Sequence, residues 1–400
     1  VRPGMSENAI PIQRKHLPAL DAVRGIAILA VFLYHLLSAA WGRDQLEWGS
    51  IFRQMPTDRT GMLWFYPMTY GWLGVSLFFV LSGFVIHYST ITARQPFSTL
   101  NFYSRRFWRI YPPYAVALLT FCIFRLNAES VTRLAVVSHV LLLQDFSRST
   151  FFLINPSFWS IATEIQFYLV YPLLIFARRS AGMFKVLMGV LAFSLLARAG
   201  ICLAERHHSD AFNDSHFMLW VAPLITIFDW TLGAYLAECF ANGKRVFPRN
   251  IFVMLITAIA LIASSFIRPL SIFSFQLGSI LSAIWIERII WSTRPMNLLQ
   301  KLLIPLGLCS YSFYLFHQPL LDKLVSFCER FTSNRYVMTL GFGPVIFCIL
   351  FVVSWVIYLT VEKTSINLGK RFSFKPKSVD VVKSDAIEAP PNPPVAAAMV

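Results

Sequence analysis

Charge is scarce in this 400-residue chain. Charged residues make up 14% of it against 56% hydrophobic, only 20 residues are acidic, and the mean hydropathy is +0.59. A chain of this length ordinarily suggests two or three soluble domains. A soluble core does not need that much apolar surface, whereas a bundle facing lipid does. CxxC spacings are missing too. The six cysteines (Cys122, Cys202, Cys239, Cys309, Cys328 and Cys348) fall in or beside apolar runs, as small buried hydrophobes do, with no His pair nearby to complete a metal site. Neither a metal nor a resident cofactor is expected. No long basic arm and no basic helix face accompany the net charge of +15. Lys and Arg sit instead in short clusters between apolar runs, which argues against nucleic acid and for topology determinants. No internal repeat is visible, and no stretch is left over for a second catalytic domain.

What is present is a series of apolar runs of spanning length, about 17–25 residues each. They fall near 23–41, 71–91, 111–127, 157–177, 184–203, 217–239, 250–267, 270–290, 303–325 and 338–361. The pair around Arg268-Pro269 is the least well separated, and the apolar piece 134–143 is too short to cross, which suggests an interfacial or re-entrant helix. The inter-span segments on the side of the N-terminus carry more than twice as many Lys and Arg as those on the other side. With an even number of spans this puts both termini in the cytoplasm. The fold expected is therefore all-α, a polytopic membrane helix bundle of about ten transmembrane helices. Residues 1–18 form a cytoplasmic N-terminal segment, 19–365 the membrane domain and 366–400 a disordered cytoplasmic tail rich in Ser, Asp, Pro and Ala. The run from Gly25 to Leu37 ahead of Ser38-Ala39-Ala40 imitates a signal peptide, but Arg24 and His35 lie in or beside it and many spans follow, so an uncleaved first span is the better reading.

Ionisable groups in a span cost at least ~2.5 kcal/mol each on insertion scales, so each asks for a reason. Arg24 and His35 are eleven residues apart, three turns plus about 20°, so they share one helix face about 16 Å apart. Histidine suits proton abstraction from a hydroxyl because it titrates near neutrality. A satisfied bundle histidine beside a topology-setting arginine is the alternative, and the residues alone leave it open. Ser160, Glu164 and Tyr168 share a face of the fourth span, with Tyr171 nearby, and a carboxylate there could orient an imidazole, bind a sugar hydroxyl or simply pair two helices. Ser310, Tyr314 and His317 share a face of the ninth, followed by the helix-breaking Pro319. Arg105, Arg106 and Arg109 make a cationic face just before the third span, suited to the phosphates of a nucleotide-like donor or to ordinary anchoring. Gly71, Gly74, Ser82 and Gly83 give the second span a small-residue face for close packing. His87, Asp229, Glu238, Glu287 and Glu362 are expected near helix ends, and His207-His208 with Asp210 and Asp214 reads as a polar loop.

Five segments, LDAVRGIAILAVFLYH (20–35), GWLGVSLFFVLSGFVI (71–86), FYSRRFWRIYPPY (102–114), PSFWSIATEIQFYLVYPLL (156–174) and SYSFYLFHQPL (310–320), resemble in order and spacing those of the acyltransferase family 3 membrane enzymes. That family includes O-acetyltransferases of bacterial surface polysaccharides. The resemblance implies a ten-helix fold, a cytoplasmic acyl-coenzyme A donor, with acetyl the expected group, and an acceptor hydroxyl on a cell-surface polysaccharide or lipid-linked glycan at the far face of a bacterial inner membrane. It carries the family's Arg-x10-His motif onto Arg24 and His35, its Arg-x-x-Arg onto Arg106 and Arg109, and its Trp-Ser-x-x-x-Glu onto Trp159, Ser160 and Glu164. The later Tyr/His element falls on Tyr311 and His317, and the Glu closing the last span on Glu362. Ala162-Thr163 stands where relatives often have a Val-Glu-like pair, so only Glu164 carries over. The catalytic group implied is His35 with Arg24 and Glu164; the substrate-binding group is Arg106, Arg109, Trp159, Ser160, Tyr311 and His317. Many relatives carry an appended extracytoplasmic hydrolase-like domain; none is seen here, so transfer is expected to finish within the membrane domain. The alternative class is a multi-span secondary transporter using intramembrane His, Glu and Arg, which often shows repeats with matching broken helices.

Overall fold

The computed structural model describes residues 18–42, 60–93, 95–125, 132–205 and 218–372, and among these the only regular structure is helical. Its helices are α1 (Pro18–Trp41), α2 (Leu73–Ile91), α3 (Thr99–Arg125), two short helices α4 (Arg133–Val140) and α5 (Arg148–Phe151), then α6 (Phe158–Ala181), α7 (Met183–Glu205), α8 (Pro223–Ala241), α9 (Ile251–Phe266), α10 (Ser274–Ile290), α11 (Leu298–Leu308), α12 (Ser310–Cys328), α13 (Gly343–Ile357) and α14 (Lys363–Arg371). A 3₁₀ segment, Thr60–Trp72, runs into α2, and π turns at Val337–Phe342 and Tyr358–Glu362 flank α13.

Among the described residues, eight helical stretches are long and apolar enough to cross a membrane, and the bent pair α11–α12 makes a ninth. α9, with 16 residues, is apolar but shorter than the span length of about 17–25 residues. It is one of the two helices that meet at Arg268-Pro269, where the sequence separated least clearly. Every expected span corresponds to a helix, and their outer faces stay apolar and exposed, as at Leu196, Phe252, Ile256, Ile259 and Val352. That is how a bundle solvated by lipid is built.

Several expected boundaries shift. α3 begins twelve residues before the apolar run and carries Pro112 and Pro113 inside it, so Arg105, Arg106 and Arg109 project from the helix rather than precede it. The ninth segment is broken, with a bend of 74° between α11 and α12. The helix of the last span continues through Glu362 and α14 to Arg371. Glu362 therefore sits on a π turn within the helix, a distortion frequent at functional sites. The 134–143 piece is the short α4, with Leu134 and Val137 exposed and His139 buried. Positions 207–214 lie outside the described residues.

Helix contacts follow small residues. α2 packs most extensively on α8, where a Cβ built on Gly83 would stand 2.0 Å from the Trp230 carbonyl oxygen and one on Gly233 1.9 Å from that of Val80. Gly71 and Gly74 lie against α1 instead, so the small face of the second span serves two neighbours, while Ser82 turns to a third. Asp229 is not near a helix end. It lies buried within α8, beside a buried cluster in which Arg198 sits over the rings of Phe275 (4.2 Å) and Trp220 (5.1 Å). There the Gln276 amide is oriented to accept from Arg198 Nε at 3.0 Å and donate to the Ile272 carbonyl. Glu287, at the end of α10, accepts from the backbone N–H groups of Val246 (2.6 Å) and Phe247 (2.9 Å). His87 bonds the Tyr171 hydroxyl at 3.1 Å and Glu238 at 3.3 Å, and Glu238 also pairs with Arg178.

Candidate active site

A cavity of about 370 Å³ lies among α1, α2, α3, α6, α12 and the last helix. One face of α2 lines it from end to end: Val75, Phe78, Phe79, Ser82, Val85, Ile86 and Ser89, at intervals of three and four residues. Opposite stand Arg24, Arg106 and Arg109, together with Asp21, Glu164 and Glu362. Six of the nine residues expected from sequence therefore share one cavity: Arg24, Arg106, Arg109, Ser160, Glu164 and Tyr311. His35, Trp159 and His317 do not line it.

The ionisable groups are held by named partners. Arg24 Nη1 donates to Asp21 Oδ1 at 2.6 Å, one turn earlier on α1. Arg106 lies over the rings of Phe102 (5.7 Å) and Tyr168 (5.8 Å), contacts that hold a guanidinium without neutralising it. Its Nε is buried and makes no hydrogen bond among the described residues. Glu164 Oε1 accepts from Ser82 Oγ at 2.7 Å and from the Tyr168 hydroxyl. Glu362 Oε2 accepts from Ser312 Oγ at 2.7 Å, in the first turn of α12, where a carboxylate also meets the positive end of the helix dipole. Tyr311 donates its hydroxyl to the Ile110 carbonyl at 2.9 Å, tying α12 to α3.

At the outer end of the cavity, Ser160 Oγ donates to the Tyr314 hydroxyl at 2.7 Å. Beyond it His317 is fully buried, and its Nδ1 lies 2.7 Å from the Tyr314 backbone carbonyl. Since a carbonyl only accepts, Nδ1 carries the proton and Nε2 the lone pair. That Nε2 has no hydrogen-bond partner among the described residues. The half-buried ring of His35 stands 5.1 Å from the His317 ring. The two histidines of the first and ninth segments thus meet, one layer beyond the cavity. Trp159 packs with its ring nearly parallel to that of Phe151, 6.3 Å away.

Sequence reading underrated Ser82, assigned only to packing, and missed Asp21, whose i, i+3 spacing to Arg24 was a usable signal. It placed Tyr168 and Tyr314 on the right helix faces without naming what they meet. The arrangement combines an anion-holding end, a carboxylate fixed by two hydroxyls and a pair of imidazoles, the components of base-assisted transfer to a hydroxyl.

Comparison with known proteins places the chain among acyltransferases. The family described as an acyltransferase domain matches residues 17–359. The acyltransferase MdmB of Streptomyces mycarofaciens is 27% identical over 330 residues, 77% of this chain and 80% of that protein. The peptidoglycan O-acetyltransferase OatA of Listeria monocytogenes is 24% identical over 359 residues, 80% of this chain but 52% of that protein. The O-acetyltransferase OatA of Staphylococcus aureus is 28% identical over 177 residues, 40% of this chain and 25% of that protein. The chain thus spans about half of the Listeria relative and a quarter of the Staphylococcus one. No solved structure matches.

Proposed function

Because the chain belongs to the acyltransferase family whose domain covers residues 17–359, we propose that it takes an acyl group, acetyl in the first instance, from acyl-coenzyme A in the cytoplasm and delivers it to a glycan hydroxyl at the far face of a bacterial inner membrane. The observation that carries this reading is the cavity that gathers Arg24, Arg106 and Arg109 with Glu164 and stops one layer short of the His317–His35 pair. The donor's phosphates bind at Arg106 and Arg109, where guanidinium forks match phosphate oxygens. Its acyl arm points outward along α2. The names of the peptidoglycan O-acetyltransferase relatives favour a cell-wall glycan as acceptor.

In this mechanism the acyl arm passes the ring of Tyr314, whose hydroxyl accepts from Ser160, to reach the imidazoles. An imidazole nitrogen of His35 takes the proton of the acceptor hydroxyl, and the oxygen adds to the thioester carbonyl. Collapse of the tetrahedral adduct breaks the C–S bond, and the departing thiolate takes the proton from the imidazolium. In the two-step variant His35 itself attacks and carries the acyl group before the hydroxyl does. Arg24 adds a third cation for the donor's phosphates, Glu164 accepts a hydrogen bond from an amide N–H of the uncharged donor arm, and His317 presents its Nε2 lone pair to the reacting centre.

Purified protein incubated with radiolabelled acetyl-coenzyme A and a soluble glycan fragment tests the reading. Labelled glycan is expected from the wild type, with transfer falling roughly 10²–10⁴-fold in His35→Ala, the range usual for losing a general base. Undiminished transfer in that variant removes His35 from the chemistry. No transfer from any thioester by wild-type protein removes the donor.

A further inference from the structure

We propose that Phe78 and Tyr314 select the acyl group by size, forming the constriction between the donor cavity and the His35–His317 pair. This rests on the donor reading above and adds to it the residues that set which donors are used.

Three helices report the same layering. Ser82 on α2, Glu164 on α6 and Tyr311 on α12 line the cavity beside the arginines. α2 and α6 run inward from the far face, and α12 runs outward. Phe78, Ser160 and Tyr314 therefore each lie about one turn, roughly 5 Å, further from the cytoplasm than those partners. All three also line the cavity and mark its outer end on α6 and α12, while on α2 Val75, about one turn beyond Phe78, lines it further out still. Across that end the rings of Phe78 and Tyr314 meet edge to face, 6.3 Å between centroids at 77°. On its other side the Tyr314 ring lies 5.2 Å from that of His317. Tyr314 thus both lines the cavity and packs against His317, which does not line it.

The two rings are held differently. Tyr314 is 6% exposed, with its hydroxyl on Ser160 and its own carbonyl accepting from His317. Phe78 has no polar group to anchor it and is only half-buried, its uncovered part forming cavity wall. An acyl group directed at His35 must pack against these rings and pass between them. Aromatic walls discriminate by volume, since interiors do not absorb an added methylene without strain. Pockets of this kind separate substrates that differ by one methylene roughly 10–200-fold. Selection comes from ring volume and not from the Tyr314 hydroxyl, which faces Ser160.

The test is a competition among acetyl-, butyryl- and hexanoyl-coenzyme A, read as relative kcat/KM. Wild type is expected to favour acetyl. Phe78→Ala should raise butyryl relative to acetyl by roughly tenfold or more, and Phe78→Leu, a milder change that keeps the site apolar, should fall between. Tyr314→Phe keeps the ring and should leave the ratio within about twofold of wild type. Unchanged ratios in both Phe78 variants, with acetyl transfer persisting, overturn the constriction and leave the donor assignment standing. Equal use of hexanoyl and acetyl by wild type also overturns it. Absence of transfer from all three thioesters by wild type overturns the donor assignment and the constriction together.

Discussion

His35 and His317, 282 positions apart in the chain, face each other with ring centroids 5.1 Å apart and planes at 52°. The Tyr314 carbonyl fixes the His317 tautomer, leaving Nε2 as the basic nitrogen of a fully buried ring. A role for His317 in the proton path predicts that His317→Gln, which keeps polar character but not basicity, lowers kcat at least tenfold with little change in donor KM. Such a split marks an interaction made mainly in the transition state. Steady-state kinetics on purified variants decide it; an effect confined to KM assigns His317 to binding alone.

Glu164 is a carboxylate held by two hydroxyls in a cavity that also holds three arginines. Hydrogen bonds to a charged group contribute about 1.5–3 kcal/mol. Glu164→Gln is therefore expected to cut kcat/KM roughly tenfold to a hundredfold, and Ser82→Ala, which removes one of the two donors, by less. The double variant should lose little more than Glu164→Gln alone, and fully additive losses would mean that Ser82 acts independently of Glu164.

Much of this was readable in the chain, and the reasons differ between levels. Spans were legible because each must be apolar over about 20 residues, and even the short α9 left its mark as an ill-separated pair. The start of α3 was not, since a cluster of arginines followed by Tyr-Pro-Pro looks like a boundary, while the helix carries the two prolines inside it. Asp229 looked like a helix-end residue because a carboxylate within a span is costly. Its place beside Arg198, Ser279 and Ser76 depends on other helices whose neighbourhood no local pattern encodes. The same limit hid Ser82–Glu164 and Ser160–Tyr314, 82 and 154 positions apart. Helical periodicity says which face a residue is on but not which helix it meets. The His35–cavity relation differed as well, for a shared face with Arg24 fixes direction along α1 and not the layer at which a cavity ends.

Where backbones touch, glycine is required. Gly83→Ala and Gly233→Ala each drive a Cβ to about 2 Å from a helix carbonyl, an overlap relieved only by separating α2 from α8. Both should destabilise by at least the ~1–3 kcal/mol usual for overpacking, seen as a lower apparent Tm in detergent and loss of monodisperse protein. Gly200→Ala, with nothing within 4 Å, is expected to be neutral or stabilising, by up to ~1 kcal/mol from helix propensity. A stable Gly83→Ala protein contradicts the packing.

Asp145 lies in the turn between α4 and α5, buried, with Gln166 Nε2 2.8 and 2.9 Å from its two oxygens. Burial pushes its carboxyl up to about 6, against the opposing effect of the Gln166 bonds. A carboxyl that binds its proton more tightly when folded favours the folded state at low pH. That contribution is present in full below about pH 4 and is lost as pH rises to about 6. Wild type should thus lose apparent Tm between pH 4.5 and 7.5 relative to Asp145→Asn, whose amide does not titrate. Parallel Tm–pH curves for the two proteins would refute the assignment.

Sidedness tests the central claim most directly. In proteoliposomes of one orientation, radiolabelled acetyl-coenzyme A is confined to the face bearing the cytoplasmic loops and the glycan acceptor to the other. The account predicts labelled glycan on the acceptor side at a rate abolished by His35→Ala. Product that forms only when donor and acceptor share a face, or that forms undiminished without the His35 imidazole, would contradict it.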